Sequence, residues 1–224
     1  METLIYDCEI IKCIPDRNGL RKSGLEYCKG WDDHANMGIS LIGAWLSWDN
    51  SIRIYPQSAF KAFQDAVNHA ELIVGFNSIS FDDKLCQANG IEISTDYDLL
   101  SEVWAAAGMP RTYTYGKTRA GYKLENLAWA NLGRGKSGSG ELAPELWQRG
   151  KEWEVARYLT DDILITKATF QRRSRLIDPT DNSILCLREP DEPIQEPGAK
   201  FLDTDFSQID LAAEDKEELD EIPF

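Results

Sequence analysis

The alternation of apolar and polar positions divides the chain into short strands and helices. Thr3 to Ile11 is β-rich, with charged residues set among Leu4, Ile5, Ile10 and Ile11. Gly38 to Trp48 and Ser51 to Tyr55 form a hairpin around Asp49-Asn50. From Ser58 to His69, Phe60, Phe63 and Val67 recur at helical spacing. Glu71 to Phe76 is a short buried strand. Phe81 to Asn89 is a helix closed by Gly90. Tyr97 to Ala107 is a short strand running into a helix, and Gly108 to Gly121 is an irregular loop. Lys123 to Leu132 is helical with Leu124 and Leu127 inward. A Gly/Ser-rich loop follows from Gly133 to Gly140, then a long helix from Trp153 to Leu176. A small hairpin spans Asp178 to Leu187 and turns at Asp181-Asn182. A hairpin followed by alternating elements predicts an α/β fold, a mixed sheet with helices on its faces.

Composition changes this picture at one end. The 224 residues carry a net charge of −14, but Glu189 to Phe224 holds 13 acids and two lysines. That segment is therefore at −11 and the rest of the chain at −3. We read residues 1–188 as one domain and 189–224 as an acidic, disordered tail. A globally basic nucleic-acid coat protein is excluded, whereas a local basic groove is not. The start lacks a basic region and meets an acid at Asp7, so no signal peptide is expected. The longest uncharged apolar stretch, Met37 to Trp48, is too short for a span of about 20 residues, so no membrane partner is expected. Cys8, Cys13, Cys28, Cys86 and Cys186 lack framework spacing and read as reduced thiols of a cytoplasmic protein. Zinc at Cys13, Cys28 and His34 is not expected, because no Cys-x-x-Cys is present.

Three carboxylate signals stand out. Asp7 and Glu9 lie two apart in the first strand and so share a face, where they repel unless a cation sits between them. An exposed sheet edge with polar residues outward has the same pattern. Asn77-Ser78-Ile79-Ser80-Phe81-Asp82 follows a buried strand and opens a helix. On its own, Asp82 also fits an acid complementing the helix dipole. Tyr158 and Asp162 lie four apart on the long helix and share one face, among Val155, Leu159, Ile163 and Ile165. A solvated helix surface bearing both Asp161 and Asp162 is the alternative.

Taken in order, Asp-x-Glu, Asn-x-x-x-Phe-Asp and Tyr-x-x-x-Asp resemble the three motifs of the DEDD (DnaQ-like) 3′–5′ exonuclease superfamily, in its tyrosine-containing branch. The resemblance covers roughly Thr3 to Arg175, with smaller echoes at Tyr97-Asp98-Leu99-Leu100 and Tyr122 to Leu127. The loop from Gly19 to Met37 is not a general feature of that family. The resemblance implies a ribonuclease H-like fold. It also implies that Asp7, Glu9, Asp82 and Asp162 hold two Mg²⁺ or Mn²⁺ ions, hard cations suited to oxygen ligands. Tyr158 would orient the attacking water, since an ordinary phenol pKa of about 10 makes a poor base at neutral pH. Asn77 and Phe81 would contact the substrate strand. Asp161 is the rival for the fourth ligand, but it lies about 100° round the helix from Asp162.

A strand needs a path, and Gly108 to Lys136 offers one. Arg111, Lys117, Arg119, Lys123, Arg134 and Lys136 face a single acid, Glu125, with Tyr113, Tyr115, Tyr122 and Trp129 interleaved. Cations for phosphates and rings for bases suit a single-strand groove, and Arg111, Lys117, Arg119, Tyr122 and Lys136 are its candidate contacts. A mobile basic loop with core aromatics fits equally, and Trp129 is read as core. Gly133 to Gly138 looks like a phosphate loop, but position 130 is Ala where a Walker pattern needs Gly, and a helix precedes it. ATP binding is therefore not expected.

The final residues, Asp220-Glu221-Ile222-Pro223-Phe224, resemble the acidic tip of bacterial single-stranded-DNA-binding proteins. That resemblance implies docking on proteins that recognise this tip, or folding back onto the basic groove. The combined expectation is a two-metal 3′–5′ exonuclease acting on single-stranded DNA in replication or repair, with a monomer favoured. RNA as substrate, or a non-catalytic replisome adaptor working through the tail, are the alternatives.

Overall fold

The structure, a computed structural model, describes residues 1–16, 18–135 and 140–194. Its centre is a five-stranded mixed sheet flanked by helices, in the order β3-β2-β1-β4-β5. Strand β1 (Thr3–Ile10) pairs antiparallel with β2 (Ile39–Leu46), which pairs antiparallel with β3 (Ser51–Pro56). On its other side β1 runs parallel to β4 (Leu72–Gly75), and β4 runs parallel to β5 (Tyr97–Asp98). Helix α1 (His34–Met37) precedes β2 and α2 (Phe60–His69) links β3 to β4. Helix α3 (Asp82–Ala88) follows β4, and α4 (Leu99–Ala106) follows β5 directly. Then come α5 (Leu124–Leu132), α6 (Ala143–Gln148) and α7 (Glu152–Gln171). Strands β6 (Leu176–Ile177) and β7 (Ile184–Leu185) form a separate two-stranded ribbon.

The alternation in β1 sorts its side chains onto two buried faces. Leu4, Tyr6, Cys8 and Ile10 share a core with Phe63 and Val67 of α2 and Leu85 of α3. Ile5 points the other way, into a core with Val74, Tyr97, Leu127 of α5 and Phe170 of α7. Asp7 and Glu9 share parity with Ile5, so they face the side that α7 crosses.

Three features differ from the sequence-based expectation. The long helix ends at Gln171, because Leu176 leaves the helical spacing and is fully buried opposite Leu185 in the ribbon. Helices α1 and α6 are short, and each adjoins a loop too polar and glycine-rich for periodicity to reveal it. Trp129 is not core. It is 59% exposed, because Leu127 and Ala128 occupy the inward face of α5.

Candidate active site

Strand β1 continues past the end of β4. The parallel ladder pairs Thr3, Leu4 and Ile5 with Leu72, Ile73 and Val74, and β4 stops at Gly75. Asp7 and Glu9 therefore stand at a sheet edge where β4 no longer covers them. Opposite Asp7 on β2 is Gly43. A Cβ there would lie 2.9 Å from Cγ of Leu159 and 3.3 Å from Cγ1 of Ile163. The missing side chain lets α7 approach closely and brings the neighbours of those two residues, Tyr158 and Asp162, over Asp7 and Glu9.

Carboxylate oxygens of Asp7, Glu9 and Asp162 lie within 4.8 Å of one another. Glu9 and Asp162 are buried, at 6% and 2% exposure. Tyr158 is hydrogen-bonded to Asp162, and burial together with the charges of Asp162, Glu9 and Asp7 raises its phenol pKa well above the ordinary value. Asp161, one position away, is partly buried and pairs with Arg134 at 2.8 Å.

The first turn of α3 separates two adjacent acids in the same way. Asp82 is buried, and burial together with the charges of Asp7, Cys86 and Glu9 raises its carboxyl pKa, but it is not one of the three acids whose oxygens lie within 4.8 Å of one another. Asp83 turns to the other side, where it accepts hydrogen bonds from Tyr6, from the Thr95 hydroxyl (2.8 Å) and from the Thr95 N–H (3.0 Å). That buried network continues from Thr95 to Ser78 (2.9 Å) and anchors the helix start under Asp82.

The turn before α3 is held by Asp98, a residue the sequence does not mark as structural. Its carboxylate accepts N–H bonds from Asn77 and Ile79 in the turn, and from Leu100 and Ser101 at the start of α4. Asn77 adopts φ +63°, a conformation asparagine tolerates better than most residues. At Gly75 a Cβ would meet Ser78 Oγ at 2.2 Å, so the strand end must be glycine for the turn to close.

A cleft of about 690 Å³ opens from this cluster. Asp7 and Asp162 form part of its wall, together with Asn77, Arg119 and Lys123. The sequence-derived contacts therefore divide. Asn77, Arg119 and Tyr122 border the cleft, but Tyr122 is 3% exposed and gives its hydroxyl to Asp178 at 2.8 Å, so its ring is a wall rather than a free stacking surface. Arg111 ion-pairs with buried Glu102 at 2.5 Å and is not among the residues that line the cleft. Glu102 also pairs with Arg188, so these two arginines neutralise an acid that would otherwise be costly to bury. Lys117 is exposed outside the cleft wall. Phe81 is half-buried and packs beside the cleft rather than in it. Lys136 and Asp220, Glu221, Ile222, Pro223 and Phe224 lie outside the described residues. The cleft wall also contains Trp31, which no periodicity pointed to.

The donor set fits hard divalent cations. Three carboxylates gathered at one point and mostly buried repel one another and lose solvation, and a Mg²⁺ or Mn²⁺ ion relieves both costs. All five cysteines are unbridged, with Cys8 and Cys86 sulfurs 3.6 Å apart behind the cluster. No helix among the described residues is long and apolar enough to cross a membrane.

No family model matches the chain. No curated protein matches it either. Among solved structures, it is similar to the family B DNA polymerase from the hyperthermophilic archaeon Pyrobaculum calidifontis, at 14% identity and a TM-score of 0.49. The match covers 77% of this chain and 24% of the polymerase, so the chain spans about a quarter of that protein's length.

Proposed function

We propose that the chain is a metal-dependent 3′–5′ exonuclease that removes nucleotides from single-stranded DNA. The observation that carries the reading is the convergence of Asp7, Glu9 and Asp162, with Asp82 and Tyr158 beside them, at one end of a cleft bordered by Arg119 and Lys123. The polarity comes from the motif resemblance, and the preference for DNA from the likeness of Asp220 to Phe224 to the acidic tip of bacterial single-stranded-DNA-binding proteins.

In this reading Asp7, Glu9, Asp82 and Asp162 hold the divalent ions. When bound, the ions supply charge neutralisation at the scissile phosphate and a water of lowered pKa. The protein's own residues do the rest. Asp83, Tyr6 and Thr95 hold the start of α3 so that Asp82 presents inward. Gly43 seats α7 close enough for Asp162 to join the two acids of β1. Tyr158 stays protonated, since burial and neighbouring acids oppose its ionisation, and serves as a hydrogen-bonding group that orients rather than as a base. Arg119 and Lys123 draw the phosphate backbone into an otherwise acidic protein. The acidic segment ending in Ile222-Pro223-Phe224 serves as a docking tail outside the catalytic domain, and deleting those three residues should abolish capture by proteins that bind the single-stranded-DNA-binding-protein tip.

The test is digestion of matched 5′-labelled single-stranded DNA and RNA with Mg²⁺, Mn²⁺ or EDTA, with Asp7→Ala as control. A metal-dependent ladder on DNA that is absent in the variant supports the reading. A ladder on RNA alone makes the protein an exoribonuclease. No ladder on either leaves a non-catalytic adaptor.

A further inference from the structure

Trp31 is 64% exposed and lines the same cleft as Asp7 and Asp162. A single exposed tryptophan on a loose loop would mean little, but this loop is tied down. The N–H of Glu26 donates to Gln148 Oε1 at 2.6 Å. The Gln148 amide donates in turn to the carbonyls of Glu26 (3.1 Å) and Ile11 (2.9 Å). Lys22 pairs with Glu145 at 2.5 Å, and the backbones of Cys13 and Tyr27 pair in an isolated parallel β-bridge. Trp31 itself sits in a turn closed by the Asp33 N–H on the Gly30 carbonyl at 3.2 Å. Behind its ring stands Phe81, edge-on with centroids 6.0 Å apart, and Phe81 leads straight into Asp82.

We propose that Trp31 is the stacking platform for the unpaired 3′-terminal nucleobase, and so a specificity-determining residue of the nuclease site. The inference rests on the nuclease reading above. Three observations support it. The ring is large, flat and solvent-facing, as base stacking requires. It shares one cleft with the acids proposed to act on the terminal phosphodiester. Its support by Phe81 ties the position of the base to the start of α3, and thus to Asp82. Phe81, the aromatic nominated by the sequence, holds the platform in place. Stacking on this ring selects a nucleotide that is free to leave its partner strand, and it tolerates any base because each has a π-face.

The test uses the full chain with Ca²⁺ in place of Mg²⁺, and labelled single-stranded DNA ending 3′ in either thymidine or an abasic residue. Binding is read by fluorescence anisotropy. The wild type should prefer the base-bearing end by about 10-fold, the order expected for one base–aromatic stack. Trp31→Ala and Trp31→Leu should bring that preference close to one, and Trp31→Phe should keep most of it. Leu retains apolar bulk without a π-face, so it separates stacking from simple packing. Melting curves on each variant check that the loop still folds. If the wild type does not discriminate, or Trp31→Leu discriminates as the wild type does, the platform is overturned while a metal-dependent ladder leaves the nuclease reading standing. If the wild type neither cuts nor binds either oligonucleotide, both fall.

Discussion

Gly43 offers a direct test of how the carboxylates are brought together. An alanine there would place its Cβ 2.9 Å from Leu159 Cγ, 3.2 Å from Leu159 Cδ2 and 3.3 Å from Ile163 Cγ1. Ordinary carbon contacts begin at about 3.5 Å, so α7 must retreat by roughly 0.6 Å or its side chains must leave their rotamers. Leu159 and Ile163 are fully buried and have nowhere to turn. Overpacking of this kind costs about 1–3 kcal/mol. Replacing a strand glycine returns about 0.5–1 kcal/mol of backbone entropy. The net loss of about 0–2.5 kcal/mol corresponds to a Tm lower by at most roughly 10 °C for a domain of this size. The effect on the site should be larger. Misplacing a reacting group by about 1 Å can cost 100-fold in rate, and Asp162 moves with α7. The assays are thermal melting, Mn²⁺ titration by calorimetry and cleavage of labelled DNA. Mn²⁺ affinity and cleavage should fall far more than stability. Shortening Leu159 to Val in the Gly43→Ala background should recover part of the Mn²⁺ affinity. A Gly43→Ala protein with unchanged Tm and unchanged Mn²⁺ affinity would refute the close-approach argument.

Three further outcomes follow from the same geometry. Asp162→Asn should leave the metal-free protein at least as stable as wild type, because it relieves repulsion with Asp7 and Glu9, yet it should abolish the rise in Tm on adding Mn²⁺; melting curves with and without metal decide this. The folded chain holds the proton on Asp82 more tightly than the unfolded chain does, since burial and the charges of Asp7 and Glu9 raise its pKa. Its contribution to metal-free stability is therefore full below about pH 3.8 and is lost as pH rises through the folded pKa. In EDTA, urea melts across this range should show a steeper loss with rising pH for the wild type than for Asp82→Ala. Asp98→Ala strands four N–H groups of two elements, and a cost of about 3 kcal/mol is expected from the lost cap and unsatisfied donors, read as a lower urea midpoint.

Apart from α1 and α6, the individual elements were legible in the sequence, because periodicity and punctuation act over a few residues. The hairpin about Asp49-Asn50, the short strand at 72–75 and the helix closed before Gly90 all sit where local pattern put them. So does the shared face of Asp7 and Glu9, which any strand of that spelling would produce. Other features depended on partners distant in sequence. Adjacent acids, Asp82 with Asp83 and Asp161 with Asp162, are alike in local pattern. Tyr6 and Thr95 turn Asp83 away from the cluster, and Arg134 pairs with Asp161. Arg111 reads as a groove cation until Glu102 claims it. Trp31 lies in a loop without periodicity, which Gln148 and Glu145 of α6 help to hold across more than a hundred residues of chain. The sequence by itself determined which residues carry charge and, α1 and α6 apart, which segments become strands and helices. The tertiary structure alone decided which of those charges converge, since convergence depends on long-range packing such as α7 over Gly43, and no local spacing encodes that.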